Sequence, residues 1–234
     1  MKNRHIFNRT AAFGISRKAI FASAVAAAVF GIPVLAVAGP SVGLGYSDIG
    51  LSGHAGRPGA TLTAGNLYKN NVVAWGSATY ARGYYNVSAS IGKLVPAGGV
   101  SFTPYASLGF LNLNYSQQET GYNSQTISNF GYSFTETTPY SYTQPESITD
   151  IYGLAGVDLN IPIGSRVAVL VGGGYGHTIS VFGGNGNGGA VYKGKAEIGM
   201  EVAKHVTASI NASYIHIPGQ SITTYGAGLS YHFS

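Results

Sequence analysis

The segment Ala190 to Val202 sets the strictest limit on how this chain can fold. Ala190, Tyr192, Ala196, Ile198, Met200 and Val202 share one parity, while Lys193, Lys195, Glu197 and Glu201 share the other. Successive side chains of a strand point to opposite faces, so this reads as a strand with one greasy face and one ionic face. Other segments divide in the same manner. Asp150, Tyr152, Asp158 and Asn160 oppose Ile151, Val157, Leu159 and Ile161, and Ser209, Asn211 and Ser213 oppose Ala208, Ile210 and Ala212. A soluble sheet can alternate this way, but only 9% of the residues are charged, too few for an ordinary soluble surface. Mean hydropathy is only +0.14, which argues against a bundle of apolar helices. A closed transmembrane β-barrel satisfies both constraints, with apolar residues toward lipid and polar residues toward an enclosed centre.

A Lys or Arg facing lipid at mid-bilayer costs about 2–4 kcal/mol, so the ionic parity is expected in the lumen. The expected lumen set is Asp150, Tyr152, Asp158, Asn160, Lys193, Lys195, Glu197 and Glu201. Two roles are open to it: an ion-pair network that fills a narrow barrel, or the lining of a small water-filled pore. Filling is the commoner fate of small barrels and stands first.

The net charge of +5 comes from the start of the chain. Lys2, Arg4, Arg9, Arg17 and Lys18 precede residue 38 with no acid among them, and beyond it eight Lys or Arg face eight Asp or Glu. That balance removes the electrostatic argument for a nucleic-acid partner. The basic opening, the apolar run Ala19 to Leu35 and the small residues Ala36-Val37-Ala38 match a signal peptide over 1–38, cleaved to leave Gly39 as the mature start. With no Cys, disulfide and thiolate chemistry are excluded.

Strands separated by short turns, without amphipathic helices between them, define an up-and-down antiparallel meander. Expected strands include Val42–Leu51, Ala60–Tyr68, Val72–Ala81, Tyr84–Val95, Val100–Tyr115, Ile148–Ile161, Val167–Phe182, Ala190–Val202 and Val206–Ile217. Short links at 96–99, 163–165 and 203–205 alternate with longer ones at 116–147, 183–189 and 218–221. Short turns lie on the periplasmic side of outer-membrane barrels and long loops outside, which gives ten strands, or eight if residues 41–68 stand apart. The apolar parity of Val100–Tyr115 switches near Gly109, which predicts a bulge there. Residues 116–147 are rich in Ser, Thr, Tyr, Gln and Asn, a composition suited to contact with an extracellular ligand as a long loop or as a hairpin. Tyr115 and Tyr231 are expected in interfacial aromatic girdles, and Trp75 fits either face.

The final segment, Ile222 to Phe233, carries Tyr225, Leu229, Tyr231 and Phe233 on one parity and Thr224, Gly226, Gly228, Ser230 and His232 on the other. Its end, G-L-S-Y-H-F, resembles the C-terminal insertion signal of bacterial outer-membrane β-barrels, with Gly228, Tyr231 and Phe233 in the key places. Ser234 follows the usual terminal Phe, and Gly226 stands where that signal usually has a polar residue. Over the whole mature chain the sequence resembles the small barrels of the opacity-protein and OmpA-like transmembrane-domain superfamily. That resemblance implies residence in the outer membrane among lipids and lipopolysaccharide, delivery by the barrel-assembly machinery, and a role in envelope structure, adhesion or limited solute passage. The leading expectation is a non-enzymatic barrel that anchors surface loops; the alternatives are a narrow porin-like channel and a lipid A-modifying enzyme.

Catalytic chemistry finds little support. His177 with Ser180, or His216, would sit near strand ends, but no acid adjoins them in sequence to orient a Ser–His pair. His54, His177, His205, His216 and His232 lack metal-ligand spacing. The glycine strings around Gly174 and Gly186 lack the Lys-Ser/Thr ending of a phosphate loop. No catalytic residue, metal site or cofactor is expected.

Overall fold

The computed structural model describes residues 39–51, 54–129, 132–182 and 188–233; the signal peptide expected over 1–38, and Ser234, lie outside the described residues. The strands are β1 (Gly39–Leu51), β2 (His54–Leu67), β3 (Val72–Ala81), β4 (Tyr84–Lys93), β5 (Val95–Ala97), β6 (Val100–Asn129), β7 (Tyr132–Ile163), β8 (Val167–Phe182), β9 (Ala190–Ala203), β10 (Val206–Ile217) and β11 (Gln220–His232). All pairings are antiparallel, and β4 pairs directly with β6, leaving β5 as a three-residue spur. β11 returns to β1 through a register running from Ser41↔His232 to Leu51↔Ile222. The sheet is a closed ten-strand barrel. Gly39–Leu51 forms the seam with β11, so the eight-strand alternative does not apply. Closure matters because hydrocarbon offers no partner to an unpaired strand edge.

Tight links need unusual backbone, and the chain supplies it. Gly83 turns β3 into β4 at φ 71°, while His205, a non-glycine, adopts φ 65° between β9 and β10. The links at 68–71, 94–99, 164–166 and 204–205 lie at the end that carries the termini. The opposite end carries the β3–β4 turn, the β10–β11 turn and the long β6–β7 hairpin.

Within 116–147, residues 116–129 and 132–147 are paired strand rather than loop. β6 and β7 keep one register from Ser101↔Asn160 to Asn129↔Tyr132. β4 pairs with β6 only as far as Leu113, and β8 pairs with β7 only from Thr149, so a two-stranded ribbon projects beyond the barrel. Hydroxyl pairs across it, Ser124 with Thr137 and Thr126 with Thr135, lie at 3.4 and 3.2 Å.

The bulge expected near Gly109 is absent: β6 pairs without a shift on both sides there. Its apolar parity switches for a different reason. Phe102, Leu108 and Phe110 face outward, but Leu111 and Leu113 are fully buried on the inner parity, while Asn112 and Asn114 take the outer one. Asn112 donates to Thr149 across the outer surface at 2.7 Å. Beyond Phe110 the outer surface meets water, so polar residues suit it and leucine is better placed inside. Register shifts occur elsewhere, opposite Ile151/Tyr152 and at Val206/Thr207.

Candidate functional site

Two stacked regions make up the barrel interior. Toward the hairpin end, Ile49, Leu111, Leu113, Ile217 and Ile222 are all 0% exposed and pack with Leu51, Tyr84, Val191 and Ile215 into an apolar collar. These residues come from strands all around the barrel, so the collar is a hydrophobic core turned inward. Tyr115 packs against it from β6 instead of joining an outer girdle. Asp150 lies in the same layer at 1% exposure, and its Oδ1 has no hydrogen-bond partner. The Tyr152 ring fills the space beside Gly109 that a Cβ would occupy, and its hydroxyl donates to Asn86 Oδ1 at 3.4 Å.

Toward the termini the interior becomes ionic and aromatic. Lys195 Nζ lies 2.7 Å from Asp158 Oδ2, with both side chains largely buried. The same ammonium stands 5.6 Å from the Trp75 ring centroid and 5.9 Å from that of Tyr105. Trp75 and Tyr105 meet edge-to-face at 5.3 Å. β3 and β9 are separated by β4, β6, β7 and β8 on one side, so the lysine reaches across the barrel to the tryptophan. Cation–π contact and a charge-assisted hydrogen bond thus hold one ammonium at the centre. The Asp158 carboxylate lies against Gly172, where a Cβ would meet Oδ1, so a larger residue there would displace the acid.

The eight expected lumen residues all fall on the inner parity, but in two groups. Asp150 and Tyr152 belong to the collar; Asp158, Asn160, Lys193, Lys195, Glu197 and Glu201 belong to the lower region. Glu197 lies opposite Asn211 and Glu201 opposite Thr207, whose Oγ1 is 3.1 Å from His232 Nε2. Trp75, left open by its sequence parity, is the aromatic floor under Lys195. The remaining wall is hydroxyl-rich: Thr61 Oγ1 is within hydrogen-bond distance of both Ser47 and Thr79, and Ser90 donates to Ser107 at 2.9 Å. Among the described residues no group of three or more His, Asp or Glu gathers as metal ligands.

The outer surface supplies the complementary half. Leu44, Ile91, Leu108, Ile179, Ile210 and Leu229 are each well exposed. Tyr46, Tyr80, Tyr175, Tyr192, Tyr214 and Tyr225 are exposed toward the hairpin end, and Tyr68, Phe102, Tyr231 and Phe233 toward the termini. Two aromatic rows flanking an aliphatic band are what a barrel presents to a bilayer and its two interfaces. In the closing strand Tyr231 and Phe233 pack edge-to-face at 5.0 Å on this outer side, while Gly228 faces inward against the β1 backbone.

One pairing was invisible in sequence. His216 Nδ1 lies 2.9 Å from Ser221 Oγ, on the outer surface near the hairpin end. The β10–β11 turn brings the two residues opposite each other, which a search for an acid adjacent in sequence could not find. His177 faces outward, and its Nδ1 lies 3.0 Å from the Thr178 carbonyl.

No family model and no curated protein matches the sequence. Solved barrels of low identity align with it. The KdgM porin is 10% identical over 82% of this chain and 99% of its own, with a TM-score of 0.40. The outer membrane protease OmpT from Escherichia coli is 9% identical over 83% and 94%, with a TM-score of 0.46. Ail, the attachment invasion locus protein of Yersinia pestis, is 12% identical over 84% and 100%, with a TM-score of 0.33. Likeness at this level concerns the fold alone. The closed wall, the outward aliphatic band and its aromatic borders define the class: the protein is a small integral transmembrane β-barrel.

Proposed function

We propose that the protein is a non-enzymatic outer-membrane barrel that holds the β6–β7 hairpin above the cell surface for envelope structure or surface contact. The observation that carries this reading is the interior collar, whose aliphatic side chains are fully buried where a conduit would need water. A barrel filled in this manner supplies stability rather than passage. The hairpin would then stand on the extracellular side, with the termini toward the periplasm, which suits the short links at the terminal end. Its exposed Tyr122, Tyr140 and Tyr142 offer rigid aromatic contact area to a ligand outside the cell.

The second reading is a narrow channel for small solutes, favoured by Lys193, Lys195, Glu197 and Glu201 on the inner parity and by the hydroxyls of Ser47, Thr61 and Thr79. Planar-bilayer recording of the folded barrel separates the two. The anchoring reading expects no discrete conductance steps. Reproducible steps whose ion selectivity changes in Lys193→Glu would replace it with the channel. Protease treatment of intact cells should cut within 116–147, and protection of that segment would refute the orientation.

A further inference from the structure

Across the outer surface of β8, β9, β10 and β11 one register row reads Tyr175, Tyr192, His216, Ser221. The His216 ring lies nearly parallel on Tyr192, with centroids 4.5 Å apart and planes 15° apart. His216 Nδ1 and the Tyr214 hydroxyl both lie 2.9 Å from Ser221 Oγ. The Tyr214 ring also lies beside that of Tyr192, with centroids 6.2 Å apart. Four side chains from three strands are thereby tied into one plate that carries both ring faces and polar edges. Ordinary girdle tyrosines extend separately into the interface; these are held together.

Immediately toward the termini, the outward positions on β8 and β9 are bare. Gly173 pairs with Gly194, and Gly194 pairs in turn with Tyr214. A Cβ built on Gly194 would meet nothing within 4 Å, so this glycine is not there to relieve crowding. On β8, β9 and β10 the next row holds Val171, Ala196 and Ala212, and the exposed Tyr225 bounds it on β11. Glycine within a strand weakens it, and it often marks a place where another molecule comes close to the backbone. The result is a shallow shelf in the lipid-facing band, capped by the aromatic and hydroxyl plate at the band's border.

We propose that this surface binds a glycolipid of the surrounding leaflet, with an acyl chain on the Gly173–Gly194 shelf and a sugar of the headgroup on the Tyr192–His216 plate. The occupant must be amphiphilic, because the shelf faces hydrocarbon while the plate lies where that band ends. A sugar suits the plate on two grounds. Its C–H face can stack on an aromatic ring, and its hydroxyls can exchange hydrogen bonds with Ser221, Tyr214 and the imidazole. No Lys or Arg occupies the outward positions of this row, so the plate favours a sugar over a bare phosphate. The identity of the lipid as an outer-leaflet glycolipid rests on the orientation proposed above, with the hairpin outside.

Native mass spectrometry of the barrel, refolded in mild detergent and titrated with purified lipid A or with phosphatidylethanolamine of matching chain length, tests the site. Wild type should retain one lipid A at concentrations where phosphatidylethanolamine washes off. Gly194→Leu, which fills the shelf, and His216→Leu, which removes the polar edge, should each weaken retention about tenfold while heat-modifiable gel migration stays normal. A tenfold change corresponds to roughly 1.4 kcal/mol. Equal retention by wild type and both variants would overturn the proposal. So would a dimer mass lost in Gly194→Leu, since the shelf would then seat a second copy. Loss of an acyl chain from the added lipid in wild type but not in Ser221→Ala would also overturn it, in favour of hydrolysis. Because the titration uses purified protein, its outcome is independent of the protease test of orientation: tight binding of lipid A with a protected hairpin would fault the orientation alone.

Discussion

The two halves of the interior use opposite materials for the same task. The collar near the hairpin is aliphatic and fully buried, whereas the lower region is spanned by Lys195, Asp158, Trp75 and Tyr105. What surrounds each half explains the contrast. At the level of the bilayer, the outer face must be apolar, and the alternation of a strand leaves polar groups to fill the centre. Those polar groups then need partners, and the central ion pair with its aromatic floor supplies them. Above the aromatic border the outer face meets water, so Asn112 and Asn114 go outside while Leu111 and Leu113 pack inside like the core of a soluble protein. One strand, β6, carries both arrangements and changes from one to the other without any break in its pairing.

The largest effect should come from breaking the ionic half. Lys195→Met leaves Asp158 buried without its counter-ion, and the expected loss in urea unfolding of the bilayer-embedded barrel is about 3–5 kcal/mol. The double variant Lys195→Met/Asp158→Leu should recover most of that loss; equal destabilisation of single and double variants would show that the pair is not what holds this level together. In the collar, Leu113→Ala should cost about 2–5 kcal/mol through lost burial and the cavity left behind. A loss under half a kcal/mol there would mean that the collar is not packed. On the outside, Ile198→Lys tests the sorting of faces, with an expected cost of about 2–4 kcal/mol that shrinks as the position moves toward either aromatic row. The smallest effect belongs to the ribbon. Replacing Thr126 by Ala should change stability by no more than about 0.5 kcal/mol, because the site is exposed and far from the collar. A larger change would show that the hairpin and the barrel fold as one cooperative unit.

Period-two alternation made much of this architecture legible before any coordinates. Each strand exchanges residues between only two environments, so the inner parity of Lys193, Lys195, Glu197 and Glu201 could be read directly from their spacing. The reading failed where a third environment entered. The switch near Gly109 looked like a bulge because a sequence does not show where the membrane stops and water begins. Tyr115 looked like a girdle residue for the same reason, and it packs inside. Trp75 could not be assigned because its neighbours Val73, Ala74 and Gly76 suit either face; contact with Lys195 from the far wall decides it.

Composition and parity alone determined the class of fold and the greasy face of most strands, because those depend on single residues and their immediate neighbours; the choice of ten strands over eight waited on the β1–β11 seam. Tertiary structure decided what depends on register around the closed wall. It set Lys195 above Trp75, gathered the collar from strands far apart in the chain, and placed His216 beside Ser221. Register is a relation between strands, fixed by turns and by closure together. No one segment contains it.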